Sequence, residues 1–133
     1  MIRYLLDTNI ASHIMRKDMP GLLKKVAHIS MARTAISVIS QAELLYGAAK
    51  CGHPPKLSGM VRTFLEQTEI LPWTEEDADT YAELRTACEA RGVTLAAMDM
   101  MIAAQAKATG LILVSRDKAF ARIEGLEVED WTV

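Results

Sequence analysis

The sequence predicts a single α/β domain, residues 1–133, in which helices cover both faces of a mostly parallel sheet. Apolar, strand-like segments alternate with helix-like segments along the whole chain, which is the pattern of parallel β-α-β units. The segments at 4–6 and 111–114 ("YLL" and "LILV") are apolar without alternation, as expected for interior parallel strands buried on both faces. A chain of 133 residues also fits one domain.

The first half of the chain is predicted to contain two strands and four helices. Pro20 and Gly21 separate the first two helices, and Ser40 is predicted to open the third. The most irregular stretch is "CGHPPKLSG", at 51–59. We place strands at 2–6 and 34–39, and helices at 9–16, 22–30, 41–50 and 57–67.

The second half is predicted to add three strands and two longer helices. Gly92 and Gly110 each follow a periodic segment, where a glycine commonly ends a helix. We place helices at 77–91 and 98–109, strands at 69–73 and 111–115, and a closing edge strand at 126–131.

Composition excludes several functional classes. A net charge of −2 gives no overall basic field, so contacts with nucleic acid would have to come from local patches. Cys51 and Cys88 lack a paired spacing, which indicates free thiols in a reducing compartment, and the three scattered histidines disfavour a zinc site. No signal peptide and no apolar run of about 18 residues is evident, so we expect a soluble cytoplasmic protein without membrane contact.

Two aspartates follow apolar strands. Asp7 comes directly after "YLL", and Asp117 comes two residues after "LILVS". If these strands are parallel neighbours, both carboxylates emerge at the same edge of the sheet, where ligands bind in such folds. The alternative for either residue alone is a turn or a helix N-cap.

Two further acids begin predicted helices. Glu43 lies three residues after Ser40, and this spacing taken alone favours a capping box. Asp99 lies in a first helical turn among methionines, where it complements the helix dipole but is poorly solvated. If the four acids converge, two charges about 4 Å apart repel by about 4 kcal/mol at an effective dielectric of 20. Their pKa values must then rise, or a hard cation such as Mg²⁺ or Mn²⁺ must bind.

The chain resembles a known family over nearly its whole length. The resemblance to PIN-domain ribonucleases, and among them to the VapC-type toxins of bacterial toxin–antitoxin pairs, is carried by "YLLDTNIAS", "SQAELLYGA", "VTLAAMDMMIAAQAKATGLILVSRDKAF" and "GLEVEDW". It implies a PIN-like three-layer α/β/α sandwich with a mostly parallel central sheet. It also implies an endoribonuclease that uses Mg²⁺ or Mn²⁺ and a metal-activated water to hydrolyse RNA phosphodiester bonds.

The resemblance assigns the family's four acids to Asp7, Glu43, Asp99 and Asp117. Asp7 and Asp99 are expected to be the principal metal ligands, and the other two are expected to act directly or through water. The family's polar supporting positions fall on Asn9 and Ser115.

Alternatives stay open for the residues around the acids. Asn9 could be a helix N-cap, and Ser115 could be only a strand-end hydroxyl. Arg116 and Lys118 flank Asp117 and are the best candidates for phosphate contact, although either could be solvated surface.

The resemblance also implies partners: a cognate VapB-like antitoxin that silences the toxin, and a second copy of the chain in a homodimer. A first rival hypothesis is a catalytically quiet PIN module that binds RNA or a partner protein. A second is an Asp-based phosphatase or phospho-receiver. Such phosphatases need Asp-x-Asp after the first strand, whereas this chain has Asp7 and Asn9.

Overall fold

The computed structural model describes residues 1–133 as five strands, six α-helices and two short 3₁₀-helices. The strands are β1 Tyr4–Leu6, β2 Thr34–Ser37, β3 Glu69–Leu71, β4 Ile112–Val114 and β5 Val128–Glu129. The helices are α1 Thr8–Arg16, α2 Pro20–Ile29, α3 Val38–Lys50, α4 Pro55–Glu66, α5 Glu75–Ala90 and α6 Ala97–Thr109. The 3₁₀-helices are Met31–Arg33 and Lys118–Arg122.

All five strands are parallel and lie in the order β3-β2-β1-β4-β5. The predicted parallel α/β sheet is therefore confirmed, and the carboxyl-terminal strand is at an edge, as expected. Strand β1 is central, with β2 and β4 as its neighbours. This order brings the carboxyl ends of β1, β2 and β4 side by side, and the functional candidates follow these three ends.

The sheet separates two hydrophobic cores, which gives the three layers expected from the resemblance. Tyr4 and Leu6 contribute to the core beneath α1, α2, α3 and α4. Leu5 points the other way and packs with buried residues of α5 and α6. Because successive side chains of a strand alternate between faces, three consecutive apolar residues in β1 serve both cores.

The predicted start of α3 is wrong. Strand β2 ends at Ser37, whose hydroxyl accepts the Ile39 backbone N–H at 3.0 Å and caps a helix that begins at Val38. Ser40 is therefore the third helical residue instead of the cap. The proposed capping box between Ser40 and Glu43 does not form, because the cap position is occupied one turn earlier.

The predicted irregular stretch at 51–59 is shorter than expected. Helix α4 already begins at Pro55. A proline in the first helical position loses no intrahelical hydrogen bond, and its fixed φ suits the helix. The predicted helix ends at Gly92 and Gly110 are confirmed, with φ of 72° and 71°. None of the helices has the length and apolar character that crossing a membrane requires.

Candidate active site at the carboxyl edge of the sheet

Asp7 connects the central strand to the first helix. Its carboxylate is the N-cap of α1, because Oδ1 accepts the Ile10 backbone N–H at 2.8 Å. The Ser115 side chain, from the end of β4, lies close enough to this carboxylate to lower its pKa. Asp7 is only 5% exposed, so this acid lies almost inside the domain. The N-cap alternative for a strand-end aspartate is thus true of Asp7, and it does not exclude a role in the cleft.

Asp117 occupies the corresponding position beyond β4. Its Oδ1 accepts the Ala119 backbone N–H at 2.9 Å and caps the short 3₁₀-helix. Its own backbone N–H donates to the Ser115 Oγ at 3.0 Å. Asp117 is exposed, and its second carboxylate oxygen makes no hydrogen bond within the protein. Capping uses one oxygen and leaves the other available to a ligand.

Three aspartates from distant segments line one cleft of about 420 Å³. Asp7 comes from the end of β1, Asp99 from the first turn of α6, and Asp117 from beyond β4. The remaining lining residues are Asn9, Arg116 and Phe120. The predicted convergence therefore holds for the three aspartates.

Glu43 lies in an adjoining groove rather than in that cleft. This groove, about 640 Å³, runs between α1, α3 and α4 and includes Thr8, Glu43 and Met98 among its lining residues. The Glu43 Oε1 accepts the Thr8 hydroxyl at 2.7 Å. Its charge nevertheless acts on Asp99, because the pKa of that aspartate is raised first by burial and then by the charge of Glu43. The fourth acid is thus electrostatically coupled to the cleft from its neighbouring groove.

Burial and mutual repulsion disfavour the ionised forms of two of the acids. Burial raises the pKa of Asp7, and the charges of Asp99 and Asp117 raise it further, while the nearby Ser115 side chain and the hydrogen bond from the Ile10 N–H lower it. Burial is also the largest cause of the raised pKa of Asp99. A cation in the cleft would relieve both the desolvation and the repulsion.

The oxygen atoms that line the cleft suit a hard divalent ion, because they belong to carboxylates and to the Asn9 amide. No group of three acidic, histidine or cysteine side chains is arranged to hold a metal ion as the structure stands. Mg²⁺ keeps several waters and commonly binds through one or two carboxylates. Asp7 and Asp99 fit a site with two carboxylate ligands and water.

The two supporting residues differ in their surroundings. Ser115 is 2% exposed, its Oγ accepts the Asp117 backbone N–H, and its side chain lowers the pKa of Asp7, so it lies between the two aspartates. Asn9 is the second residue of α1, is exposed and lines the cleft. The N-cap alternative for Asn9 is wrong, because Asp7 fills that position.

The two predicted phosphate contacts also separate. Arg116 lines the cleft, and its Nη1 lies 3.8 Å from the Met19 sulfur. It forms no ion pair with the neighbouring aspartates. Lys118 is exposed at the start of the 3₁₀-helix and is absent from the cleft lining.

Sequence reasoning missed Thr8 and Phe120. Thr8 stands between Asp7 and Asn9, and this neighbourhood was its only signal. Phe120 is 1% exposed, borders the cleft and packs in the core beneath α5 and α6. An apolar residue three positions after Asp117 offered no reason to choose it.

Comparisons with known proteins find a family and close structural neighbours. The family model "PIN domain" matches residues 4–126. A protein of Salmonella typhimurium named tRNA(fMet)-specific endonuclease VapC is 30% identical over 98% of this chain and 99% of its own length.

Two solved structures share the fold. One is the crystal structure of DNA-bound VapBC from Salmonella typhimurium, with a TM-score of 0.90 and 30% identity over 98% of this chain and 99% of that chain. The other is VapBC2 from Rickettsia felis bound to a DNA fragment from its promoter, with a TM-score of 0.88 and 31% identity over the same shares.

Proposed function

The chain belongs to the PIN-domain family, and we propose that it is a Mg²⁺- or Mn²⁺-dependent endoribonuclease, the toxin of a type II toxin–antitoxin pair. The observation that carries this proposal is the cleft in which Asp7, Asp99 and Asp117 meet. These residues come from three separate segments, and two of them have raised pKa values. Such a cluster of acids costs stability unless a ligand uses it.

We propose different roles for the acids of the site in binding the metal. Asp7 and Asp99 would hold the ion, while Glu43 and Asp117 would act directly or through water. When bound, Mg²⁺ or Mn²⁺ makes hydroxide available near neutral pH and stabilises the charge that develops on a phosphodiester. The Ile10 N–H fixes the Asp7 Oδ1, and the neighbouring Ser115 hydroxyl would help to orient the same carboxylate. Asn9, which lines the cleft, would orient a water or a phosphate oxygen at the exposed side.

RNA is the proposed substrate. The relative from Salmonella typhimurium is named for cleavage of a tRNA, and we extend only the class of substrate to this chain. Arg116 is the one cation that lines the cleft of aspartates. A guanidinium there can bind a phosphate and hold the strand against the acids.

An antitoxin is the proposed partner, by extension from the two solved VapBC structures. We propose that a cognate VapB-like protein binds this chain and inhibits it. A homodimer stays a prediction, which light scattering of the purified chain would test. An RNA substrate and such a partner are consistent with the expected cytoplasmic location.

The direct test is cleavage of a labelled RNA by the purified chain. We expect internal cleavage with Mg²⁺ or Mn²⁺ and none in excess EDTA. An Asp99→Asn variant, purified in the same way, controls for a contaminating ribonuclease. Full activity in EDTA would contradict the metal-dependent mechanism, and RNA binding without cleavage would favour the catalytically quiet module.

A further inference from the structure

We infer that the hydroxyls of Thr8 and Ser40 form a positioning pair that holds the Glu43 carboxylate at the edge of the cleft of aspartates. This inference rests on the proposed function. It adds two residues to the site that neither the family resemblance nor the local sequence pattern assigned.

The contacts form a continuous chain. The Thr8 Oγ1 lies 2.7 Å from the Glu43 Oε1 and 2.8 Å from the Ser40 Oγ. Thr8 and Glu43 are separated by 35 residues, and Thr8 and Ser40 by 32, so the contacts join two elements instead of one helical turn. They connect the start of α1 to the first turns of α3.

The chemistry fixes the direction of both hydrogen bonds. An ionised carboxylate only accepts, and a threonine hydroxyl has one proton to donate. The Thr8 proton therefore points at Glu43, and the Ser40 hydroxyl must donate to the Thr8 oxygen. A hydroxyl that accepts one hydrogen bond donates a stronger one, so Ser40 strengthens the bond that Thr8 makes to Glu43.

Ser40 is the most buried of the three residues that these hydrogen bonds connect, and its position is therefore the most fixed. Ser40 has 0% exposure, whereas Thr8 and Glu43 are half-buried. The bond from Thr8 is the only hydrogen bond that the Glu43 side chain makes. Without it, a flexible glutamate at the border of a groove would regain rotamers that lead away from Asp99. The pair thus preorganises the acid before a ligand arrives.

The position of Thr8 also explains why the hydroxyl matters here. Thr8 follows Asp7 directly, so it is held by the N-cap that Asp7 makes for α1. The same turn therefore presents one acid by its backbone and steadies another by a side chain. A change in Thr8 would be felt at Glu43 without a change in the Asp7 hydrogen bonds.

The test replaces the hydroxyl while keeping the shape. Thr8→Val removes the hydroxyl that donates to Glu43, Thr8→Ser keeps a hydroxyl at this position, and Glu43→Gln removes the charge of the carboxylate. Mn²⁺ binding without RNA is measured by electron paramagnetic resonance, and thermal unfolding in EDTA reports on the fold. We expect Thr8→Val to weaken Mn²⁺ binding by about 10-fold and Thr8→Ser by less than about 3-fold, as for residues that orient metal ligands.

The cleavage reaction supplies a second readout. Thr8→Val should lower kcat with little change in KM for RNA, since the substrate is held elsewhere. Adding Thr8→Val to Glu43→Gln should have almost no further effect, because the two residues act as one unit. Ser40→Ala should produce a weaker version of the Thr8→Val effect, and it provides the test if Thr8→Val does not fold.

The outcomes separate this inference from the proposed function. Wild-type protein that neither binds Mn²⁺ nor cleaves RNA would overturn both. Wild-type protein that does both, with Thr8→Val unchanged, would overturn the positioning pair alone. The positioning pair would also be overturned if Thr8→Val weakened Mn²⁺ binding equally in the Glu43→Gln background.

Discussion

The backbone N–H of Asp7 donates to the carbonyl of Val114 at 3.0 Å. This bond extends the pairing of β1 with β4 by one residue beyond Leu6, which pairs with Val114. Asp7 is thereby fixed beside Ser115 and near Asp117. A backbone hydrogen bond between neighbouring strands, rather than a contact between flexible side chains, therefore brings Asp7 and Asp117 to the same edge of the sheet.

Replacing Asp7 by asparagine should make the metal-free protein more stable at neutral pH. Asparagine keeps an oxygen for the N-cap but carries no buried charge. Cleavage should be lost in the same variant, because Asp7 would be one of the two ligands that hold the metal ion. A gain in stability at an active site commonly comes with such a loss of function. The measurement is thermal unfolding in EDTA, where each ~1 kcal/mol raises the Tm by about 3–5 °C in a domain of this size.

The difference in stability between the Asp7→Asn variant and the wild-type protein should depend on pH in a defined direction. The folded-state pKa of Asp7 is raised, so the folded protein binds more protons than the unfolded chain above about pH 3.9. Wild-type stability from this group is therefore present at low pH and is lost as pH rises through the folded pKa. The higher stability of the variant should vanish near pH 3 and grow toward pH 7. Adding Mg²⁺ should reduce this difference in stability. A constant difference at all pH values would contradict a buried, destabilised carboxylate.

The other acids of the site should be needed for cleavage but not for folding. Residues that orient metal ligands typically contribute about 10–100-fold to metal affinity or activity. The cleavage rate of Asp99→Asn should therefore fall by at least the upper end of that range. Glu43→Gln should lose less, since Glu43 lies in the adjoining groove. Asp79→Asn is the matched control, because Asp79 is an exposed acid of α5 outside the cleft. Cleavage rates of the three variants, at equal folded fraction, check this order.

Two substitutions of Asp117 should separate its cap from its charge. Asparagine can still accept the Ala119 N–H, whereas alanine cannot. Both variants should cleave poorly. Only Asp117→Ala should also lose stability, by about 0.5–2 kcal/mol. Equal stability of the two variants in urea unfolding would show that the hydrogen bond to Ala119 contributes little.

Arg116→Ala should weaken RNA binding and reduce its salt dependence. Loss of one phosphate contact on a single strand lowers the slope of log K against log salt by about 0.7. Arg85→Ala is the control, since Arg85 lies on α5 with Tyr81 and Glu89. Binding is measured in EDTA with an uncleaved oligonucleotide at several salt concentrations. An unchanged slope would remove Arg116 from the substrate contacts.

Much of the fold was predictable because it depends on local patterns. Unbroken apolar segments predicted interior strands, and Gly92 and Gly110 predicted helix ends through their left-handed conformation. The element boundaries were less accurate. Val38 and Ile39 are β-branched and extend the strand pattern, yet the Ser37 cap places them in α3.

Some features of the candidate site could likewise be predicted from the sequence, and others could not. A carboxylate directly after an apolar strand is a local feature, and parallel neighbours then share an edge, so Asp7 and Asp117 could be paired from the sequence. The partner of Glu43 could not. Ser40 and Glu43 have the spacing of a capping box, and only the position of Ser37 and the approach of Thr8 from α1 decide otherwise.

The amino-acid sequence thus determined which residue types stand at the ends of the strands, and with them the parallel fold and the acids available for chemistry. Tertiary structure alone decided which side chains meet: Thr8 contacts Glu43, Ser115 lies beside Asp7, and Arg116 lies inside the cleft while Lys118 lies outside it. The physical reason is range. Caps and periodicity are set within a few residues, whereas these contacts join segments that only sheet order and helix packing bring within hydrogen-bonding distance.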